Sequence, residues 1–286
     1  MTDIDVAAAG TFEIKDLGQV NRLGYGAMRI TGQGIWGEPA DREVARSVVR
    51  RAAELGVDFI DTADSYGPTV SEEIIAEAFD QNYGNVKIAT KAGLARTGPD
   101  VWVPVGRPEY LRQQAELSRR RLGVERIALF QLHRVDKKVD ADEQFAELAK
   151  LQADGLVGAI GLSEVSVEQI EQASAHFTVA TVQNRFNLTD RRYEDVVDHC
   201  TNNGIGFMPW APISAGELAE PGGPVAEVAN ELGATPSQVA LAWLLRRSPA
   251  ILPIPGTGSI AHLEENLGAA TVELTDQMYQ RIDAAS

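Results

Sequence analysis

The sequence predicts an α/β protein folded as a (β/α)8 TIM barrel. Short apolar runs rich in β-branched residues alternate with longer segments of helical period, which is typical of parallel strands joined by crossover helices. The runs number eight, the count that closes such a barrel. No GxGxxG motif follows the first run, so a doubly wound open sheet is the less favoured alternative. We predict strands at residues 23–28, 57–61, 86–90, 127–132, 157–162, 179–183, 206–210 and 251–254.

A helical pattern follows each predicted strand. The patterns cover residues 41–55, 71–81, 107–122, 142–153, 166–175, 190–202, 225–232 with 236–245, and 261–269. Gly123 and Gly204 follow two of them, where a left-handed residue commonly ends a helix. Residues 12–20 predict an N-terminal hairpin and residues 275–284 an extra C-terminal helix, both capping the barrel. Because no linker interrupts the pattern, we expect residues 1–286 to form a single domain.

Charge and cysteine content limit the partners and the compartment. The chain has 26 basic and 41 acidic residues, a net charge of −15, which repels phosphate backbones and argues against a nucleic-acid partner. Cys200 is the only cysteine, so no intramolecular disulfide can form. The first residues carry no basic leader, and no apolar run approaches the ~20 residues that span a bilayer. We therefore expect a cytoplasmic protein without a membrane partner.

Polar residues follow three successive predicted strands. Asp61 ends the second strand, with Tyr66 on the loop after it, while Lys91 follows the third and His133 the fourth. Active sites of such barrels lie at the carboxyl ends of the strands. Any one of these side chains alone is more simply explained as a satisfied buried polar group. Their convergence at one end of the barrel predicts a catalytic site.

The chemistry of this set suits carbonyl reduction. A carbonyl that receives hydride develops alkoxide charge and requires a proton. The Lys91 ammonium is expected to lower the pKa of the Tyr66 phenol, which then donates that proton. Asp61 holds the ammonium, and His133 orients the substrate oxygen. No metal is expected, because His133 has no second histidine or cysteine at ligand spacing, and neither a GxSxG elbow nor a Walker loop is present.

Specific motifs make the chain similar to the aldo-keto reductase family from Leu23 almost to the C-terminus. They are RLGYGAM, DTADSYG, TK ending at Lys91, LHR at His133, IGLSE, VQNRFN and IPGTGSIAHLEEN. The resemblance implies a barrel that uses NADP(H) and an Asp, Tyr, Lys and His tetrad. Asp61, Tyr66, Lys91 and His133 occupy the matching positions.

The resemblance also implies a cofactor site. In it, Ser163 and Gln183 bond the carboxamide, Trp210 stacks on the nicotinamide in place of the usual Tyr or Phe, and Glu164 stands where the family often has Asn. Gly256 and His262 replace the Lys and Arg that commonly hold the 2′-phosphate, so NAD(H) use is an open alternative to NADP(H). The remaining implied cofactor positions are Gly26, Ala27, Met28, Ala211, Pro212, Ile213, Ser214, Gly216, Ile254, Thr257, Ser259, Glu265 and Asn266.

Loops after the first and third strands are expected to bind a small carbonyl substrate. Trp36 and Trp102 are candidate lining residues, and Arg134 either meets an acidic group or pairs with Asp136. Scaffold motifs resemble the branch that contains bacterial pyridoxal reductases, which suggests an aldehyde such as pyridoxal. A non-catalytic NADP(H)-binding regulatory barrel and a Schiff-base barrel using Lys91 are the alternatives. We expect a monomer by similarity to the family.

Overall fold

The computed structural model describes residues 4–214 and 220–285, and its centre is a curled sheet of seven parallel strands. The order across this sheet is β11-β10-β9-β8-β5-β4-β3, and every neighbouring pair is parallel. The described strands are β1 Thr11–Ile14, β2 Gly18–Asn21, β3 Tyr25–Gly26, β4 Phe59–Asp61, β5 Lys87–Ala92, β6 Leu94–Gly98, β7 Val101–Pro104, β8 Ile127–Leu132, β9 Val157–Ser163, β10 Val179–Gln183 and β11 Gly206–Phe207.

The eighth predicted segment closes the barrel without forming a regular strand. Ile251 makes a parallel bridge to Phe207 of β11, and Gly256 makes one to Gly26 of β3. Pro253 and Pro255 lie between these bridges and have no N–H to donate, so a continuous ladder cannot form there. The (β/α)8 TIM-barrel fold is confirmed, with residues 251–254 as its irregular eighth member.

Helices surround the sheet and follow the barrel strands, as the periodicity predicts. Two helix bounds differ from the prediction by more than two residues. The sixth helix begins at Glu194 because Asn187 and Asp190 bond each other's backbones in a turn. The second ends at Ala78, before left-handed Gln81. The helices are α1 Arg42–Glu54, α2 Val70–Ala78, α3 Pro108–Leu122, α4 Ala141–Ala153, α5 Val167–Ser174, α6 Glu194–Asn203, α7 Pro224–Leu232, α8 Pro236–Arg247, α9 Ile260–Leu267 and α10 Asp276–Asp283.

The two predicted caps are present. Strands β1 and β2 pair antiparallel, and Ile14 and Val20 pack with Phe59, Ala89 and Leu129, which lie early in the parallel strands. The hairpin therefore fills the amino end of the barrel and leaves the carboxyl end open for a site. Helix α10 is the extra C-terminal helix. Among the described residues, no helix has the length and apolar character needed to cross a membrane.

A second hairpin, β6–β7, covers part of the carboxyl end. The sequence pattern predicts only a long loop here, yet the two strands pair antiparallel after β5. Arg96 fixes the hairpin to two neighbouring loops by donating to the carbonyl oxygens of Ile35 (2.8 Å) and Ser65 (2.9 Å). The hairpin thus forms a fixed wall beside the ends of the central strands.

Candidate active site

Four predicted side chains meet at the carboxyl end of the barrel. Asp61 is the last residue of β4, Lys91 lies near the end of β5, His133 directly follows β8, and Tyr66 is on the loop between β4 and α2. All four are buried. Asp61, Tyr66 and His133 line a cavity of about 690 Å³. The structure therefore brings the four side chains together at one cavity, as the sequence predicts.

Lys91 is the centre of the hydrogen-bond network. Its Nζ lies 2.7 Å from Oδ2 of Asp61, 2.7 Å from the carbonyl oxygen of Thr62 and 3.3 Å from the Tyr66 hydroxyl. Burial alone lowers the pKa of Lys91, but the Asp61 carboxylate and Tyr66 outweigh it and leave that pKa raised. Lys91 is therefore a protonated ammonium, whereas a Schiff-base lysine needs a lowered pKa. This disfavours the Schiff-base alternative.

Two glutamines that the sequence analysis does not assign to this network complete it. Nε2 of Gln131 donates to Oδ1 of Asp61 at 3.0 Å, and Nε2 of Gln183 donates to the same oxygen at 2.9 Å. The carboxylate is thus held by an ammonium on one oxygen and two amides on the other. Gln131 of β8 precedes His133 by two positions, so both side chains point to the same face. This alternation of side chains along a strand was the signal that could have identified Gln131.

The pKa of Tyr66 differs from the expectation. Burial raises this pKa, and the Asp61 carboxylate adds to the rise, while Lys91 and Arg134 only partly oppose it. The sequence-based prediction of an acidified phenol is wrong, because the prediction considered the ammonium but not the desolvation of the phenolate. Tyr66 therefore keeps its proton at neutral pH and can donate it.

His133 is held as a neutral imidazole. Its Nδ1 lies 3.2 Å from the hydroxyl of Ser65, so its Nε2 is left for a molecule in the cavity. Burial and the nearby charges of Lys91, Arg134 and Arg96 hold the pKa of His133 well below its usual value. The ring packs edge-on against Tyr66 with the centroids 5.8 Å apart. A neutral donor or acceptor at this position suits the binding of a carbonyl oxygen.

Aromatic and apolar side chains form another part of the cavity wall. Trp102 of β7 contacts Tyr66 edge-on with the ring centroids 6.3 Å apart, and the Arg96 guanidinium lies 3.6 Å from the Trp102 ring centroid. Trp36 lies near the same guanidinium, at 5.8 Å, and is not part of the cavity lining. Further apolar lining residues, which the sequence pattern does not identify as candidates for the substrate site, are Ile35, Leu94 and Pro104.

Arg134 lines the cavity and is not paired with Asp136. The Asp136 carboxylate instead accepts the backbone N–H groups of Gly106 (3.0 Å) and Lys138 (2.9 Å). Arg134 donates to the Ser163 hydroxyl at 3.0 Å. Arg134 therefore contacts Ser163, a predicted cofactor residue, instead of forming the ion pair with Asp136 that the sequence suggests as one alternative.

The predicted cofactor positions fall into two groups. Six of them do not line the cavity: Ala27, Thr257, Ser259, His262, Glu265 and Asn266. The carbonyl oxygen of Thr257 accepts from the Tyr25 hydroxyl, and Ser259 caps α9. Gly216 lies outside the described residues. Arg29 also lines the cavity and was not predicted. The predicted positions that line the cavity are Gly26, Met28, Ser163, Gln183, Trp210, Ala211, Pro212, Ile213, Ser214, Ile254 and Gly256.

This lining fits a nicotinamide. The Ser163 hydroxyl accepts from Arg134, so its own proton is available for a carboxamide oxygen. Nε2 of Gln183 is committed to Asp61, which leaves Oε1 for a carboxamide N–H. The indole of Trp210 borders the same space. Within the described residues, no group of three or more His, Cys, Asp or Glu side chains is placed to hold a metal ion.

Comparison with known proteins identifies the family of the chain. The family model of the aldo/keto reductase family matches residues 22–286. An uncharacterised oxidoreductase of Schizosaccharomyces pombe is 49% identical over 98% of this chain and 91% of its own length. The pyridoxine 4-dehydrogenase of Escherichia coli is 40% identical over 93% of this chain and 95% of its own. A glycerol dehydrogenase structure from Gluconobacter oxydans superposes with a TM-score of 0.86 at 25% identity, covering 97% of this chain and 95% of that one.

The barrel and its buried Lys, Asp and Tyr cluster define an oxidoreductase. The chain belongs to the aldo/keto reductase family. The resemblance that the sequence motifs indicate is confirmed, and with it the reaction class of carbonyl reduction.

Proposed function

We propose that this enzyme reduces an aromatic aldehyde of the pyridoxal type to its alcohol, with Asp61, Tyr66, Lys91 and His133 as the catalytic residues. The observation that carries the proposal is the position of the Lys91 ammonium, 2.7 Å from the Asp61 carboxylate and 3.3 Å from the Tyr66 hydroxyl at the cavity. A phenol that burial keeps protonated, beside a fixed cation, is a proton donor placed where alkoxide charge develops.

Each residue has a distinct task in this reaction. NADPH, when bound, supplies the hydride that the carbonyl carbon receives. Tyr66 gives its proton to the carbonyl oxygen, and the Lys91 ammonium stabilises the phenolate that remains. Asp61 keeps the ammonium in place, and Gln131 fixes the carboxylate. Neutral His133 hydrogen-bonds the carbonyl oxygen and orients it toward Tyr66.

The wall of the cavity supports an aromatic substrate. Trp102, Ile35, Leu94 and Pro104 present apolar surface beside Tyr66, which favours a flat ring over a charged chain. Arg134 offers a cation at the same cavity for a hydroxyl or phenolate on that ring. The 40% identical relative named pyridoxine 4-dehydrogenase supports a substrate of this class.

Steady-state oxidation of NADPH and NADH across an aldehyde panel that includes pyridoxal tests the proposal. We expect pyridoxal or another aromatic aldehyde to give the highest kcat/KM, and Tyr66→Phe to lower it by about 1,000-fold. Tyr110→Phe is the matched control, because it removes a phenol that does not line the cavity, and should leave kcat/KM within about threefold.

Four other outcomes would reject parts of this proposal. A flat response across the panel would reject the aromatic substrate. Turnover that survives Tyr66→Phe would reject Tyr66 as the donor, and cofactor binding without turnover of any carbonyl would favour the regulatory alternative. Borohydride trapping of a substrate on Lys91 would indicate Schiff-base chemistry instead.

We also propose a cytoplasmic monomer in which residues 1–286 form one domain. In the part of the chain that the structure describes, the exposed large apolar side chains are Val44, Val101, Val103 and Ile260, which lie on three separate elements, α1, β7 and α9. Cys200 is buried and its pKa is raised to about 12 by burial, so it supplies no reactive surface thiol. Light scattering after size exclusion should give a mass near 30.9 kDa.

A further inference from the structure

We propose that Glu164 is a positioning residue that sets the orientation of the Trp210 indole at the nicotinamide part of the cavity. The inference rests on the proposed function, because it concerns the same cofactor site. Its basis is a set of contacts outside the catalytic network: Glu164 contacts the N–H edge of the Trp210 indole, while Trp210 itself lines the cavity.

The contacts hold the indole at its edge. Oε1 of Glu164 accepts from Nε1 of Trp210 at 2.7 Å and from the backbone N–H of Arg185 at 2.7 Å. Oε2 accepts from the Tyr193 hydroxyl at 3.2 Å. Hydrogen bonds of 2.7 Å to a carboxylate are about twice as strong as hydrogen bonds between neutral groups. Of the three aromatic residues phenylalanine, tyrosine and tryptophan, only tryptophan has a ring N–H, and phenylalanine at position 210 would have no donor for this acceptor.

The backbone at Glu164 is adapted to this role. Its φ is 55°, a left-handed conformation that is unfavourable for a non-glycine residue. Ser163, one residue earlier, lines the cavity, whereas the side chain of Glu164 reaches Trp210 and Tyr193 instead. The turn thus places the Ser163 side chain toward the cavity and the Glu164 side chain at the N–H edge of the indole. Strain retained at such a position suggests a functional constraint rather than a packing one.

A second residue supports the indole from its face. The guanidinium of Arg185 lies over the ring, 5.3 Å from the centroid, and its backbone N–H is the other donor to Glu164. Arg185 and Trp210 are also joined by a parallel backbone bridge. The indole is therefore fixed at its N–H edge by Glu164 and over its face by Arg185, while the ring borders the cavity. A fixed ring gains more from stacking on a nicotinamide, because less side-chain entropy is lost on binding.

Calorimetric titration with NADP+ tests this role without depending on turnover. We expect Glu164→Ala to raise the Kd for NADP+ about tenfold, the size of a lost charge-assisted hydrogen bond. Glu164→Gln retains an acceptor for the indole and should stay within about threefold of the parent enzyme. Tyr193→Phe is the matched control, because it removes only the 3.2 Å contact and should leave the Kd unchanged.

The decisive comparison is Glu164→Ala made in a Trp210→Phe background. Phenylalanine has no N–H for Glu164, so the same alanine substitution should then change the Kd by less than about twofold. An equal tenfold effect in both backgrounds, or no effect in either, would overturn the inference. If the parent enzyme itself bound neither NADP+ nor NADPH, the proposed function would fail instead. Thermal unfolding of each variant without cofactor identifies any loss of folded protein.

Discussion

Strand β5 carries a buried polar cluster on each of its faces, and the two clusters have different consequences. On the inner face, Lys91 pairs with Asp61 beside Tyr66. On the outer face, the Thr90 hydroxyl donates to Glu72 of α2 at 2.6 Å, and Arg121 of α3 donates to the same carboxylate at 2.6 Å. Thr90 and Lys91 are successive residues of one strand, so their side chains point to opposite faces. The Lys91–Asp61 pair therefore lies inside the barrel, and the Arg121–Glu72 pair lies between the sheet and the helices.

The two clusters are chemically similar but face different surroundings. Asp61 borders the cavity, where a substrate can reach the hydroxyl that Lys91 contacts. Glu72 is fully buried where α2, α3 and β5 meet, and it does not line that cavity. A buried ion pair is therefore no evidence of catalysis by itself. The difference predicts that the inner pair controls rate and the outer pair controls stability.

Lys91→Met should have the largest effect. We expect kcat/KM for aldehyde reduction to fall about 1,000-fold, because the phenolate left by proton transfer loses its cation. The fold should survive, since Asp61 keeps the donated hydrogen bonds of Gln131 and Gln183. Steady-state kinetics and circular dichroism measure both effects. A kcat/KM within tenfold of the parent enzyme would remove the inner pair from the mechanism.

Arg121→Met is the counterpart on the outer face. It leaves the Glu72 carboxylate buried with Thr90 as its remaining partner, so the free energy of unfolding should fall by about 3 kcal/mol. We expect kcat/KM at 25 °C to change less than about threefold, because Arg121 does not line the cavity. Urea unfolding followed by kinetics on the folded enzyme checks both. Loss of rate with unchanged stability would reverse the assignment of the two clusters.

Asp64 belongs to the outer side and shows the cost of an incompletely paired carboxylate. It is buried, its Oδ1 has no hydrogen-bond partner, and burial and the Glu72 carboxylate hold its pKa well above the ordinary value. The folded state therefore binds a proton more tightly than the unfolded state does. Stability from this group is present below its ordinary pKa and declines as pH rises through the raised one.

Asp64→Asn should consequently stabilise the protein by about 1 kcal/mol at neutral pH. The gain should shrink toward pH 4, where the parent carboxyl is protonated in the folded state. Melting temperatures of both proteins at several pH values measure the difference. A variant that is less stable than the parent at neutral pH would show that the Asp64 charge is needed.

Local sequence patterns predicted the inner cluster well and the outer cluster poorly. Asp61, Lys91 and His133 could be located because strand ends are visible in the apolar runs and meet at one edge of a parallel sheet. Glu72 and Arg121 lie on different helices, and their pairing depends on how α2 and α3 pack, which periodicity does not specify. The β6–β7 hairpin was missed for a similar reason, since Arg96 fixes it through backbone oxygens of distant loops.

Burial also explains the one error in the chemistry. From the sequence, Lys91 alone was expected to lower the pKa of Tyr66, because a neighbouring charge can be seen in the motif spacing. The depth of the phenol cannot be read from spacing, and in the structure its desolvation outweighs the ammonium. The position of Tyr66 could be predicted from the sequence, whereas its protonation state could be assigned only from the structure.

The pH dependence of kcat/KM for aldehyde reduction, measured in the parent enzyme and in Tyr66→Phe, tests the central claim most directly. A phenol kept protonated by burial and a neutral His133 should give a level profile from about pH 6 to about pH 9, with a decline only above the ordinary phenol pKa of about 10. That decline should be absent in the residual activity of Tyr66→Phe. A decline centred near neutral pH that disappears in Tyr66→Phe would instead show an acidified Tyr66 and contradict this account.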